Sequence, residues 1–234
     1  MIEFGHFSHA GLRRDLNEDT YFGDAGLGLW LVADGMGGHD SGEVASALAR
    51  DTIVREVRAG RGLEEAIRQA DEEILRQSRR RQQGMPMGTT IVAARVRAAG
   101  LFEIAWVGDS RAYLWDGRLR QVSSDHSYVQ ELIDRGQLTP EQARSHPHRN
   151  VVTKALGVTE PGRLGIETVS GELKPGMQIL LCSDGLTEDV DDATIARVIA
   201  QKDISAQEGV EHLVAAALDA GGSDNITAIL LRRA

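Results

Sequence analysis

The sequence is poor in cysteine, in aromatic residues and in long apolar runs. Its 234 residues include one cysteine, Cys182, so no internal disulfide can form, and this fits a reducing compartment. Aromatic residues make up only 4%, so the core must rest on aliphatic side chains. No apolar run approaches the roughly 20 residues that a membrane-spanning helix needs, and the first residues lack the basic-then-apolar pattern of a secretion signal. We therefore expect a soluble cytoplasmic protein that has no membrane partner.

Basic residues are outnumbered by acidic ones. The chain has 35 Asp and Glu against 26 Lys and Arg, which gives a formal net charge of −9 at pH 7. This charge disfavours nucleic acid as a partner, because the phosphate backbone would be repelled. Neither repeats nor a change of composition divides the sequence, so we expect one domain over residues 1–234 that acts as a monomer.

Apolar periodicity predicts both helices and strands. Helical spacing is clear over 63–74 and 210–218, and 41–57 is a third candidate helix. The strand candidates are "LWLVAD", "GTTIVAARVRA", "LFEIAWVGD", "RAYLWDG", "QILLCSD" and "NITAILLRR". Gly117 in "WDGRL" marks a hairpin turn. Because helices come in consecutive runs and do not alternate with strands, we predict an α+β protein with antiparallel sheets inside and helices outside. The polar stretch 125–156 is expected to form an inserted surface subdomain.

Four aspartates lie where a predicted strand meets a loop. Asp34 ends "LWLVAD" and Asp109 ends "FEIAWVGD". Asp184 ends "QILLCSD", and Asp224 precedes the last strand in "GGSDN". A single aspartate in such a place commonly caps a turn, and this interpretation stays open for each of them. Their recurrence favours a shared site, since the ends of strands in one sandwich would bring the carboxylates together.

Carboxylates gathered in this way need a cation. They would repel one another by several kcal/mol per pair at the effective dielectric of a protein site. Hard divalent ions that prefer oxygen ligands, Mg²⁺ or Mn²⁺, remove that cost. Gly35 has no side chain to block an ion from its carbonyl. The stretch "RRDLNED" upstream adds Arg14, Asn17, Glu18 and Asp19. Arginine suits a phosphate group, although a surface ion pair is an equal alternative for Arg14. Two ions and an arginine indicate phosphoryl transfer to a bridging water.

Eight motifs occur in one order along nearly the whole chain, from about Gly5 to Leu231. They are "RDLNED", "VADGMGGHDSGEVAS", "MGTTIV", "WVGDSRAYL", "SSDHSYVQEL", "HPHRNVVTKALG", "LLCSDGLTEDV" and "GGSDNITAILL". With these motifs the sequence resembles the metal-dependent Ser/Thr protein phosphatases, the PPM or type 2C family, in its compact bacterial form. The resemblance implies a four-layer α-β-β-α sandwich of two antiparallel sheets flanked by helices, with a flap subdomain at about 125–156. It also implies an enzyme that hydrolyses phosphoserine and phosphothreonine on proteins and opposes a Ser/Thr kinase, which with its substrates would be the partner.

The same resemblance, carried over residue by residue, implies a site for two Mn²⁺ or Mg²⁺ ions. Asp34 should bridge the ions, and Gly35 should bind one through its carbonyl. Asp184 and Asp224 should complete the coordination of one ion, while Glu18 should act through a bound water. The water between the two ions is expected to be the nucleophile.

Three further roles follow from the resemblance. Asp109 matches an acid that holds a third, weaker ion together with Asp184, and Arg14 should hold the substrate phosphate. In the eukaryotic branch a histidine that follows the Asp-Gly pair is taken as the general acid, but here that position is Met36. His39 is the nearest candidate for the proton donor, and a water or a structural hydrogen bond to the loop are its alternatives.

Other chemistries fit these residues less well. A cysteine-based phosphatase needs an arginine six positions after the cysteine, and position 188 is a glutamate. The acids are dispersed and not packed into a calcium-binding loop of about 12 residues. His146 and His148 flank a proline and are expected to be surface loop residues. A phosphatase-like protein that only binds partners is the strongest rival, and degenerate metal ligands would mark it; none of the acids is degenerate.

Overall fold

The strands form two antiparallel sheets. The structure, a computed structural model, describes residues 1–37, 41–80, 86–160 and 162–234. The strands within these ranges are β1 (Ile2–His9), β2 (Asp19–Asp24), β3 (Leu29–Met36), β4 (Gly88–Thr89), β5 (Ile91–Val96), β6 (Leu101–Val107), β7 (Arg111–Trp115), β8 (Leu119–Gln121), β9 (Glu167–Glu172), β10 (Gln178–Cys182) and β11 (Ile226–Arg233). One sheet has the order β1-β11-β10-β7-β8, and the other has the order β2-β3-β5-β6-β9, with β4 paired to β3.

The helices lie outside the two sheets. They are α1 (Ser41–Arg58), α2 (Leu63–Arg80), α3 (Tyr128–Asp134), α4 (Pro140–Arg144), α5 (Asp184–Asp189), α6 (Asp192–Ile199) and α7 (Ala206–Ala220). The three helices predicted from periodicity are confirmed as α1, α2 and α7. None of the helices in the described part of the chain combines the length and the apolar character that crossing a bilayer requires.

The apolar runs form strands that are buried on both faces. Successive side chains of a strand point to opposite faces of the sheet. In β3, Leu29, Leu31 and Ala33 therefore pack in the core beneath the helices α1 and α2, whereas Trp30 and Val32 pack between the sheets. A continuous apolar run, and not an alternating pattern, follows from this double burial.

Three apolar cores separate four layers. One core lies between α1, α2 and the sheet that contains β3. A second core fills the space between the two sheets, and a third lies between the other sheet and the helices α5, α6 and α7. The α+β sandwich expected from the sequence is thereby confirmed.

Four strands were not among the strand candidates. These strands, β1, β2, β8 and β9, carry mixed polar and apolar residues, and most of their side chains are partly or fully exposed. Each of them lies at the edge of a sheet, where one side of the strand has no neighbour within the sheet. Edge positions tolerate polar residues on both faces, so the pattern that identifies a strand is weak there.

Candidate active site

A cavity of about 370 Å³ lies at one end of the sandwich, where loops leave both sheets. It is lined by one set of charged and small residues that the sequence analysis assigned to the site: Arg14, Glu18, Asp34, Gly35, Asp109, Asp184 and Asp224. The structure therefore brings these seven residues together. His39, the candidate proton donor, lies outside the described residues.

Thr90 holds the backbone of Asp34 through two hydrogen bonds. Asp34 lies near the end of β3, directly opposite Asp19 of β2 in the antiparallel register. The Asp34 N–H donates to Thr90 Oγ1 at 3.1 Å, and its carbonyl accepts from the Thr90 N–H at 2.8 Å. These bonds fix the backbone of Asp34, so that its carboxylate is presented to the cavity from a rigid strand.

Gly35 is required by close packing of β3 against α1. A Cβ at Gly35 would lie 2.2 Å from the carbonyl oxygen of Gly42 in the first turn of α1, which no side chain tolerates. A Cβ at Gly42 would lie 2.4 Å from Glu18 Oε1 in turn. The glycines thus allow strand, helix and Glu18 to approach one another, a reason that differs from the open carbonyl inferred from the sequence.

Glu18 is oriented by the start of α1. Its carboxylate accepts backbone hydrogen bonds from Gly42 and Glu43, where the helix N-terminus favours a negative charge. Burial nevertheless raises the pKa of the Glu18 carboxyl above its ordinary value. The two backbone hydrogen bonds therefore fix the direction of the Glu18 side chain. They do not fully offset the cost of burying its negative charge.

Asn225 connects the loop that carries Arg14 and Glu18 to the last strand. The Asn225 amide oxygen accepts from the Glu18 N–H at 2.8 Å. Its Nδ2 donates to the carbonyls of Ala10 at 2.9 Å and Leu16 at 2.8 Å. Asn225 is buried, and its three bonds hold residues 10–18 over the cavity. The sequence analysis did not assign this residue; its position beside Asp224 in "GGSDN" was the available signal.

Arg14 pairs with a predicted metal ligand. Its Nη2 donates to Asp224 Oδ2 at 2.6 Å, and this bond raises the pKa of the guanidinium. The Arg14 side chain is 55% exposed, so it lies at the mouth of the cavity and not inside it. Arg14 therefore forms the ion pair that was one alternative for it. The pair lies beside the predicted metal site, so the other alternative, a phosphate-binding role, stays open.

The acids of the cavity share a strongly unfavourable environment. Burial, together with the charges of Asp224 and Asp19, raises the pKa of Asp184 to about 6. Burial likewise raises the pKa of Asp19 to about 6. For Asp34, burial and then the charges of Asp19, Asp184 and Asp109 raise the pKa well above its ordinary value. Asp109 is raised in the same direction by burial first and then by Asp184.

The donor set fits hard divalent cations. Two buried carboxylate oxygens, Asp184 Oδ1 and Asp19 Oδ1, have no hydrogen-bond partner among the described residues. A bound cation would supply both the missing partner and the missing positive charge. No three His, Cys, Asp or Glu side chains in the described ranges are already gathered around one point as metal ligands. The chemistry of the donors therefore fits Mg²⁺ or Mn²⁺, whereas their present positions line a cavity.

The model of one protein family matches most of the chain. The protein phosphatase 2C family matches residues 9–219. The chain belongs to this family. The resemblance seen in the eight sequence motifs is thereby confirmed.

Relatives and solved structures agree with this membership. The serine/threonine protein phosphatase PstP of Mycobacterium tuberculosis is 35% identical over 237 residues, which cover 98% of this chain and 45% of that protein. The chain thus spans about half the length of that relative. The protein phosphatase PhpP of Streptococcus pneumoniae is 35% identical over 98% of this chain and 97% of its own length. A crystal structure of the catalytic domain of PstP with two manganese ions is 33% identical, has a TM-score of 0.87, and covers 99% of this chain and 97% of that chain.

A second cavity of about 700 Å³ adjoins the first in this phosphatase 2C chain. It lies between the segment predicted to be the flap, which contains α3 and α4, and the helices α5, α6 and α7. Asp109, Asn150 and Asp184 line both cavities, and Arg149 lines the second. None of the residues of α3 is buried, so this helix leaves its apolar side chains partly open to the second cavity.

Asp19 lies outside the assigned set but next to Asp34. It is buried, and Ser183 Oγ donates to its Oδ2 at 2.8 Å. Asp19 lies within "RRDLNED", but its closeness to Asp34 depends on β2, a strand that the sequence pattern does not predict. Cys182 is fully buried in β10 and burial raises its pKa to about 12, which agrees with the interpretation of a small buried strand residue.

Proposed function

We propose that this chain is a metal-dependent protein phosphatase that hydrolyses phosphoserine and phosphothreonine on proteins. The observation that carries the proposal is one cavity, in a member of the protein phosphatase 2C family, where buried carboxylates that lack compensating positive charge lie beside an exposed guanidinium. Two Mn²⁺ or Mg²⁺ ions would be the resident cofactors. The PstP structure with two manganese ions supports this choice.

Asp34, Asp184, Asp224 and the Gly35 carbonyl would hold the ions, with Glu18 acting through a water. Asp109 would share a third, weaker ion with Asp184. When bound, the two core ions would supply an acidified water as the nucleophile and neutralise charge on the phosphate.

Arg14 would orient the phosphate from the mouth of the cavity. Its exposed guanidinium is planar and carries several N–H donors. Two of these donors can form parallel hydrogen bonds to two oxygens of a phosphate. The bond to Asp224 at 2.6 Å keeps the side chain beside the site until substrate arrives. Met36 lines the cavity but has no proton to donate, so the leaving oxygen takes its proton from His39 or from water. The role of His39 stays a prediction.

Phosphorylated proteins would be the substrates, among them a Ser/Thr kinase or the proteins that it modifies. The curated names of the relatives from Mycobacterium tuberculosis and Streptococcus pneumoniae support a protein substrate. Residues 125–156 would act as the flap, and the cavity beneath it would contact the peptide around the phosphorylated residue. The cytoplasmic location and the monomeric state stay predictions.

Hydrolysis of a phosphothreonine peptide with and without Mn²⁺ tests the proposal. We expect turnover in Mn²⁺, loss of turnover in excess chelator, and recovery when Mn²⁺ is restored. Asp34→Asn should lose nearly all turnover while it stays folded, and Asp203→Asn, on an exposed loop, is the matched control. Full turnover in protein shown to be metal-free by elemental analysis would reject the two-ion mechanism. A folded wild-type protein that binds phosphopeptide but never hydrolyses it would favour a binding protein instead.

A further inference from the structure

His126 is a buried histidine whose two ring nitrogens are both engaged. It lies at the start of the predicted flap and is 6% exposed. Its Nδ1 lies 3.1 Å from the backbone nitrogen of Gly108, and its Nε2 lies 3.0 Å from Glu167 Oε1. A backbone N–H can only donate, so Nδ1 is the acceptor and carries no proton. The proton of the neutral ring is therefore on Nε2 and is donated to the Glu167 carboxylate.

The backbone of His126 extends the same connection to both ends of the flap segment. Its N–H donates to the Gly108 carbonyl at 2.9 Å, and its own carbonyl accepts from the Thr153 N–H at 2.8 Å. Ser127 and Val152 form an antiparallel bridge next to it. One residue thus engages the N–H and the carbonyl of Gly108 and also joins the beginning of the flap segment to its end.

Gly108 immediately precedes Asp109, the acid expected to hold the third ion. Its φ is +109°, and a Cβ there would lie 2.6 Å from the Cβ of Thr90. Thr90 in turn receives the N–H of Asp34 on its Oγ1 at 3.1 Å. The loop is therefore packed against Thr90 on one side and hydrogen-bonded to His126 on the other. Thr90 Oγ1 and Ser110 Oγ, 2.7 Å apart, form a second side-chain contact of this loop. The ring of His126 is the side-chain contact that holds the backbone N–H of Gly108 itself.

We infer that His126 is a positioning residue, which holds the loop of Asp109 in place and couples this acid to both ends of the flap segment. The coupling rests on four hydrogen bonds of the structure, and only its consequence for metal binding rests on the proposed function. Burial lowers the pKa of the His126 imidazole, which agrees with a neutral ring that accepts at Nδ1.

Two substitutions separate the two nitrogens of the ring. The side-chain oxygen of asparagine lies near the place of Nδ1, so His126→Asn keeps an acceptor for the Gly108 N–H and loses the contact with Glu167. The longer glutamine reaches the place of Nε2, so His126→Gln keeps the Glu167 contact and leaves the Gly108 N–H without its acceptor. His126→Ala removes both, and His212→Asn, on the exposed face of α7, is the matched control.

Hydrogen exchange of the Gly108 amide, followed by NMR in metal-free protein, is the first readout. We expect slow exchange in wild type, His126→Asn and His212→Asn. Exchange should be roughly 3–10-fold faster in His126→Gln and His126→Ala, which is the net contribution of one hydrogen bond. This readout does not depend on catalytic activity, so it remains informative if the proposed function fails.

The Mn²⁺ concentration that gives half-maximal hydrolysis of p-nitrophenyl phosphate is the second readout. It should rise on the order of 10-fold in His126→Gln and His126→Ala, the effect of disturbing a residue that orients a metal ligand. His126→Asn should keep this Mn²⁺ concentration near the wild-type value. Turnover at saturating Mn²⁺ should change less than the Mn²⁺ concentration that is required.

The inference would be overturned if the Gly108 amide exchanged at the same rate in all the variants. It would also be overturned if His126→Gln matched His126→Asn in exchange rate and in Mn²⁺ requirement. If His126→Ala fails to fold, the comparison of asparagine with glutamine still decides. Absence of Mn²⁺-dependent hydrolysis in wild type would reject the proposed function alone, because the exchange rates still report on the bond between His126 and Gly108.

Discussion

Removing one charge from the carboxylate cluster should stabilise the metal-free protein. Asp184 begins α5, and burial together with the charges of Asp224 and Asp19 raises its pKa from 3.8 to about 6. A folded-state pKa above the unfolded value means that the protein is favoured while the carboxyl is protonated. This stability is fully present below pH 3.8 and is lost as the pH rises through about 6. Above that pH the ionised Asp184 opposes folding.

The magnitude follows from the pKa. A rise from 3.8 to about 6 corresponds to at most about 3 kcal/mol. Asparagine gives up the favourable charge at the start of α5, which is worth about 0.3–1 kcal/mol, and it must bury an amide at the position of an unpartnered oxygen. We therefore expect Asp184→Asn to raise the free energy of unfolding by about 1–2 kcal/mol at pH 8 in chelator. In a chain of this size that corresponds to a melting temperature higher by roughly 2–8 °C.

Urea unfolding followed by tryptophan fluorescence measures this difference. It should be done in chelator at pH 8 and at pH 4.5, with Asp203→Asn on an exposed loop as the control for the loss of one charge. The gain should largely disappear at pH 4.5, where the wild-type carboxyl is already protonated in the folded state. With Mn²⁺ at pH 8 the order should reverse, because the ions stabilise only a site that keeps its ligands. A variant less stable than wild type in chelator at pH 8, or an equal difference at both pH values, would refute the reasoning.

Two further predictions concern the mouth of the cavity and its packing. Arg14→Ala should weaken the binding of substrate and of inorganic phosphate by up to about 3 kcal/mol, measured as KM and as the phosphate inhibition constant; Arg13→Ala is its control, and unchanged constants would contradict the role. Gly35→Ala should lower the free energy of unfolding by at least about 2 kcal/mol, because its Cβ would lie 2.2 Å from the Gly42 carbonyl oxygen, whereas Gly62→Ala meets no atom within 4 Å. Equal stability of the two alanine variants in urea unfolding would show that the close approach is relieved at no cost.

Local patterns were sufficient for the layered fold and for the acids of the cavity. The strands in the middle of the sheets are buried on both faces, so they appear in the sequence as apolar runs that end abruptly. Asp34 lies near such an end, and Asp109 and Asp184 each lie two residues beyond one. A buried run ends where the chain comes back to solvent, which is why the ends of the runs identified Asp34, Asp109 and Asp184 among the residues that line the cavity.

The edge of the site could not be read from local patterns. Glu18 and Asn225 are 207 residues apart in the chain, and their hydrogen bond forms only when β11 lies beside the loop of residues 10–18. Asp19 meets Asp34 through the pairing of β2 with β3, although the mixed composition of β2 does not predict a strand. Such contacts depend on which strands become neighbours in a sheet. The local pattern of apolar residues along the sequence does not specify which strands pair.

The α+β layering and the four aspartates beside strands could be predicted from local patterns, because buried runs and their polar ends are local properties of the chain. The family and the roles of the seven cavity residues came from the resemblance carried by the eight motifs, which are local as well. How these residues are held in place, and how their charges are compensated, depends on the tertiary structure. The fold pairs Arg14 with Asp224 and directs the Glu18 carboxylate at the backbone N–H groups in the first turn of α1. It also packs α1 so closely on β3 that position 35 has room only for glycine. Each of these depends on distances of a few ångströms between segments that are remote in sequence, and those distances are set by the packing of the two sheets and not by any one segment.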